Sequence, residues 1–196
     1  GVRAMHDPRL QPYIISMYHE LYENEDYNEI EILFEGAQGF GLDVDWGDYP
    51  YVTSSHCTVG SALLNGVPAK AIRDVWGVAK IYETYVGAKS FEGPDEIFDT
   101  IREIGQEFGA TTGRPRQINW LDYDMLKMAT RINGCNKVVF NKMDVLEQVD
   151  SWCLYDGPNL YQFESRDDIE LWLSGKLELE ANENIEVMFS GDKEYI

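Results

Sequence analysis

Apolar positions along the chain recur at three-to-four spacing in some stretches and alternate or run together in others. Ile14, Met17, Tyr18 and Leu21 share one face of a helix predicted over 12–23, with Pro12 in its first turn. A mostly polar break over 24–28 precedes Glu29 to Phe34, a short strand apolar at Ile30, Ile32 and Phe34. Gly36, Gly39 and Gly41 then predict a strand-to-loop passage where backbone comes close to something. A helix is predicted over 68–75, opened by Pro68, and a strand over 78–86 that runs into Gly87-Ala88. Ile97, Ile101, Ile104 and Phe108 place a helix over 94–108 that stops at Gly109. Another helix follows over 122–132, then a buried strand over 137–140. Segments 151–155 and 160–163 read as a sheet pair around Asp156-Gly157-Pro158. A short helix over 167–173 and a last strand over 185–189 complete the series. Strands that alternate with helices predict an α/β fold, one domain over 1–196, with a mostly parallel central sheet and flanking helices.

Composition narrows function more than fold. The 196 residues carry a net charge of -19, with much of the acid over 20–31 and 167–194. A field of that sign opposes non-specific nucleic-acid binding, whereas a nucleotide site needs only a few local cations and backbone N–H groups. No apolar run reaches the roughly 18 residues a membrane helix needs, and no secretory pattern opens the sequence. The first residue is Gly1 rather than Met, as in a sequence that begins inside a longer reading frame. Cys57, Cys135 and Cys153 form no CxxC pair and, with His6, His19 and His56, no zinc-like spacing. Reduced thiols follow, which favours the cytoplasm.

Three segments carry candidate chemistry. Asn141-Lys142-Met143-Asp144 stands at the carboxyl end of a predicted strand, the edge where open α/β sheets bind ligands. The Asp144 carboxylate can accept from guanine N1–H and its exocyclic amine, with the Lys142 stem along the base; the plain alternative makes Asp144 the cap of a helix starting at Val145. Glu107 to Asp122 contains a Gly/Thr loop flanked by Arg114 and Arg116, a pattern suited to planar oxyanions or, more plainly, to two surface salt bridges. Phe34 to Thr58 joins a Gly-rich loop to Gln38, Thr53, Ser54 and Ser55: Gln38 suits a purine edge and Thr53 a phosphate oxygen. Asp43 and Asp45 are possible metal ligands, but with no third ligand evident structural hydrogen bonding is the simpler account. The chain has no GxxxxGKS or GxxxxGKT phosphate loop, no GxSxG elbow and no HExxH.

Taken in order, FEGAQG (34–39), DYPYVTSS (48–55), EFGATTGRPR (107–116) and NKMD (141–144) resemble the carboxy-terminal half of the adenylosuccinate synthetases. The resemblance implies that family's P-loop-NTPase-like fold, here incomplete. It implies a ligase of purine biosynthesis that joins IMP to L-aspartate: GTP phosphorylates the purine 6-oxygen, and the aspartate amine displaces that phosphate. Carried over residue by residue, Gln38, Thr53, Val86 and Arg114 would contact IMP. Gly109, Ala110, Thr111, Thr112, Gly113 and Arg114 would close on aspartate. Arg116, Lys142, Met143, Asp144, Ser190 and Gly191 would hold GTP. Tyr85 departs from the family's arginine before Val-Gly-Ala, Lys89-Ser90 from Gly-Pro, His56-Cys57 from Asn-Thr, and Ser190-Gly191-Asp192 from Ser-Thr-Gly-Pro.

The family's glycine-rich GTP phosphate loop, catalytic aspartate and histidine and Mg2+ site have no counterpart before Phe34. The resemblance therefore places them upstream and assigns no catalytic or metal-binding residue within this chain. It implies a homodimer for the full-length enzyme, and no membrane or nucleic-acid partner. Three settings fit: a fragment of a complete synthetase, one part of a split one, or a non-catalytic guanine-nucleotide-binding remnant. A viral branch of the family that uses dGMP in place of IMP is a further alternative.

Overall fold

A computed structural model describes residues 33–109 and 113–191. Strands β1 (Trp76–Lys80), β4 (Lys137–Asn141) and β7 (Glu186–Phe189) form a wholly parallel sheet in the order β1-β4-β7. Strands β2 (Tyr82–Tyr85), β3 (Gln117–Asp122), β5 (Trp152–Asp156) and β6 (Asn159–Phe163) form a second sheet in that order. Its central pair is parallel and its outer pairs are antiparallel. The helices are α1 (Gly60–Leu64), α2 (Ile97–Ile104), α3 (Tyr123–Asn133), α4 (Met143–Val149) and α5 (Arg166–Glu180). Parallel strands joined through helices make this an α/β fold, as the alternation predicts.

Local chemistry explains several boundaries. In β4, Val138 and Phe140 are buried while the residues between them are not fully so, the period-two signature of a pleated strand. Helix α3 starts where the Asp122 carboxylate accepts from Met125 N–H (3.1 Å), and stops at Gly134 in the left-handed region, φ 62°. Ser165 caps α5 by accepting from Asp168 N–H (3.3 Å). Phe98, Ile101, Trp120, Phe140 and Leu154 belong to one buried core, in which Phe140 stacks on Phe189 at 5.2 Å between ring centres.

The structure redraws other predicted elements. The strand expected over 78–86 is two strands in two sheets. Its break is Ile81, fully buried, whose N–H donates to Asn141 O (3.1 Å) as the chain crosses between sheets. The helix expected over 68–75 shrinks to a single 3-10 turn, Ala69–Ala71, because Asn136 takes the backbone at Val75. Val75 N–H donates to the Asn136 side chain (2.8 Å), and Val75 O accepts from Asn136 N–H (3.2 Å). Helix α2 stops at Gly105 instead of Gly109, since Glu107 O accepts from Arg116 N–H (2.9 Å) and Phe108 bridges to Pro115. Helix α5 runs on to Glu180 because Ile169, Leu173 and Leu177 continue its buried stripe past residue 173. Leu33 and Phe34 are unpaired in any strand; residues 29–32 and the helix expected over 12–23 lie outside the described residues.

Candidate functional site

The carboxyl ends of β1, β4 and β7 lie side by side, with Lys80 in register with Asn141 and Phe140 with Phe189. The chain leaves β4 through Lys142, whose φ of 65° turns it sharply into α4. Met143 N–H donates to Ser190 O (3.3 Å) and Ser190 N–H to Phe140 O (2.8 Å), so the NKMD turn is tied to the end of β7. Gly191 abuts Asp144: a Cβ added at Gly191 would stand 3.4 Å from Asp144 Cβ and 3.9 Å from its Oδ1. Lys142, Asp144, Ser190 and Gly191 thus converge on one edge. Met143 does not join them through its side chain, which is fully buried. Asp144 lies in the first turn of α4 and not at its cap, so capping does not explain it. The Asn141 Oδ1 is buried and meets no hydrogen-bond partner among the described residues, an acceptor that a bound donor would satisfy.

Beside this edge sits a buried carboxylate. Glu107 is 1% exposed, and its Oε1 accepts from Lys80 Nζ (2.7 Å) and Tyr82 Oη (2.8 Å). Its Oε2 accepts from Lys80 Nζ (2.7 Å) and Arg116 Nη1 (2.8 Å). Burial pushes the Glu107 carboxyl up, but Lys80, Tyr82 and Arg116 outweigh that and hold it below its usual range. Burial pulls the Lys80 ammonium down, only partly offset by Glu107. The Gly/Thr loop rises from here. Gly109 N–H donates to Arg114 O (2.8 Å) and Gly113 N–H to Gly109 O (2.8 Å), with Gly113 at φ 64°. Ala110, Thr111 and Thr112 lie outside the described residues. The salt-bridge account of this segment therefore holds for Arg116, whose partner is deeply buried.

A second cluster gathers Gln38, Thr53 and Ser55. Ser55 Oγ donates to Gln38 Oε1 (3.3 Å) and lies 3.5 Å from Thr53 Oγ1. Gln38 sits at φ 62°, a left-handed conformation that costs a side-chain-bearing residue about 1–2 kcal/mol. Val86 follows β2 and is 53% exposed. Lys89 pairs with Asp48, which links the loop after β2 to the 48–55 segment. Among the described residues, a Cβ on Gly36, Gly39 or Gly41 would touch nothing within 4 Å. In the same segment Gly47 is crowded: a Cβ there would meet Asp43 O and Gly41 O at 2.6 Å.

The fold also supplies the third group that sequence did not pair with Asp43 and Asp45, namely His56, whose Nδ1 lies 3.3 Å from Asp45 Oδ2. These residues do not fit Mg2+. The Asp43 carboxylate already accepts from Asp45 N–H (2.9 Å), Trp46 N–H (3.0 Å) and Cys57 N–H (2.5 Å), and Mg2+ wants an octahedral oxygen shell rather than an imidazole. Asp43 organises its loop by structural hydrogen bonding.

A model of the adenylosuccinate synthetase family matches residues 3–155. The chain belongs to the adenylosuccinate synthetase family. It is 40% identical over 165 residues to adenylosuccinate synthetase from Polynucleobacter asymbioticus, covering 78% of this chain and 36% of that protein. With the Burkholderia mallei adenylosuccinate synthetase it shares 37% over 199 residues, covering 95% of this chain and 43% of that one. Among solved structures, the fully ligated adenylosuccinate synthetase from Plasmodium falciparum superposes with a TM-score of 0.73 at 28% identity, over 92% of this chain and 51% of the other. The chain spans less than half the length of the curated relatives it matches.

Within this member of the adenylosuccinate synthetase family, three side chains escape sequence reasoning. Lys80 and Glu107 meet across 27 residues of sequence. The third, Gln117, organises the loop after Val86: its Oε1 accepts from Phe91 N–H (2.8 Å) and its Nε2 donates to Lys89 O (2.8 Å). For Glu107 the one available signal was an acid beside two arginines in a loop segment.

Proposed function

We propose that this chain provides the guanine-selecting edge, the aspartate loop and one side of the IMP pocket of a GTP-dependent ligase that makes adenylosuccinate. In this reading Lys142 and Asp144 choose guanine, with Ser190 and Gly191 closing the pocket and Arg116 beside the nucleotide. Gly109 to Arg114 close on the aspartate carboxylates; Gln38, Thr53, Val86 and Arg114 face IMP. Magnesium, a homodimer and a cytoplasmic setting belong to the same reading of the full-length enzyme. The observation that carries it is the convergence of Asp144 and Gly191 at the carboxyl edge of the parallel sheet, where the chain turns through Lys142.

Calorimetric titration of the purified chain with GDP and with ATP tests it. GDP is expected to bind at least tenfold more tightly than ATP, and Asp144→Asn to remove most of that preference, since a hydrogen-bonded site rejects mismatched partners strongly. Equal affinity for the two nucleotides would remove the guanine role of Asp144. In the full-length enzyme, IMP is expected to outcompete dGMP as the acceptor, because the loop from Glu107 to Arg116 is retained.

A further inference from the structure

The geometry points to Glu107 as a positioning residue that sets Arg116 at the nucleotide edge and pins the stem of the aspartate loop; this rests on the reading of Arg116 as a nucleotide contact. Lys80 spends all three of its ammonium protons within the protein, two toward Glu107 and one on Thr84 Oγ1 (3.0 Å), so it is an anchor and not a ligand-binding cation. Arg116 differs. Among the described residues its guanidinium is bonded only through Nη1, to Glu107, and its side chain is 32% exposed. A guanidinium carries five N–H donors in a rigid plane, so fixing one nitrogen orients the rest toward an incoming oxyanion.

The same carboxylate lies at the root of the loop. Glu107 O accepts from Arg116 N–H (2.9 Å), so the residue grips Arg116 by backbone and side chain together. Arg116 and the foot of the Gly/Thr segment, where Gly109 N–H donates to Arg114 O, therefore share one buried fastening. Two cations against one carboxylate leave an excess positive charge there, in a chain whose net charge is -19.

Positioning and simple electrostatics predict opposite signs for one variant. Glu107→Gln deletes a negative charge, which by field alone would tighten binding of the anionic GDP. If Glu107 acts by orienting Arg116, GDP affinity instead falls roughly tenfold, the scale of one charge-assisted hydrogen bond. Calorimetry on the chain with GDP reads this directly. In an Arg116→Ala background the same change is expected to cause no further loss of affinity, whereas general loosening of the structure would lower it further. A second measurement needs no nucleotide: 15N NMR of the Arg116 guanidinium, expected to rotate slowly in the native chain and freely in E107Q. Tighter GDP binding by E107Q, additive losses with Arg116→Ala, or equal guanidinium rotation in both proteins would each overturn the positioning role. Absence of GDP binding by the native chain would overturn the guanine reading, and the NMR comparison would still decide whether Glu107 holds Arg116.

Discussion

Glu83 and Glu107 are two glutamates whose surroundings drive them in opposite directions. Glu107 is ringed by donors and stays ionised, so its favourable contribution is present at neutral pH and lost as pH falls through its lowered folded pKa. Glu83, on β2, is pushed up to about 7, first by burial and also by the Asp122 charge; Asp122 N–H (3.3 Å) and Lys89 offset only part of this. The folded chain thus binds a proton more tightly than the unfolded one at this site. Between the ordinary glutamate range and about 7, stability from Glu83 falls as pH rises. Replacing it with the uncharged Glu83→Gln is expected to raise stability by about 1–3 kcal/mol at pH 8 and to change little near pH 4.5, measured by urea unfolding at both values. An equal effect at the two pH values would show that Glu83 is not protonated in the fold.

The end of α2 shows how an element boundary serves the site. Gly105 tolerates no side chain: a Cβ would stand 2.4 Å from Tyr82 Oη and 2.9 Å from Ile101 O. Gly105→Ala is expected to cost about 1–3 kcal/mol by overpacking, read by urea unfolding, and to displace the Tyr82 hydroxyl from Glu107. An unfolding curve unchanged from the native one would count against that packing. Elements closed by neighbouring residues were legible in the sequence: α3 between Asp122 and Gly134, the β5–β6 hairpin, and β4 with its alternating burial. Elements decided at a distance were not. The switch between sheets at Ile81 depends on Asn141, and the lost helix over 68–75 on Asn136, each about 60 residues away. The candidate site divides the same way. The NKMD turn announces itself through the strand before it, while the Lys80–Glu107–Arg116 fastening exists only once two sheets have been brought together.

At the scale of the whole molecule, the distribution of cations limits what the chain can do alone. Phosphoryl transfer is catalysed by positioning and by stabilising charge on the moving group, which takes a cradle of backbone N–H groups, a lysine and a metal ion. The sequence holds no GxxxxGKS or GxxxxGKT loop to form that cradle. Of the described cations near the edge, Lys80 has its protons committed, Arg116 is tied to Glu107, and Lys142 forms the turn into α4. The acidic cluster at Asp43, Asp45 and His56 is organised by backbone amides and does not suit Mg2+. On the reading proposed above, a chain spanning 36% and 43% of its curated relatives would carry selection and grip, with the phosphoryl step left to groups other than these. Incubated with IMP, L-aspartate, GTP and magnesium, the 196-residue chain is expected to yield no adenylosuccinate and to release no phosphate above background, followed by product chromatography. Product that appears only with GTP would mean that these residues build a phosphate cradle of another kind. The division of labour argued from Glu107, Asp144 and the sheet edge would then have to be redrawn.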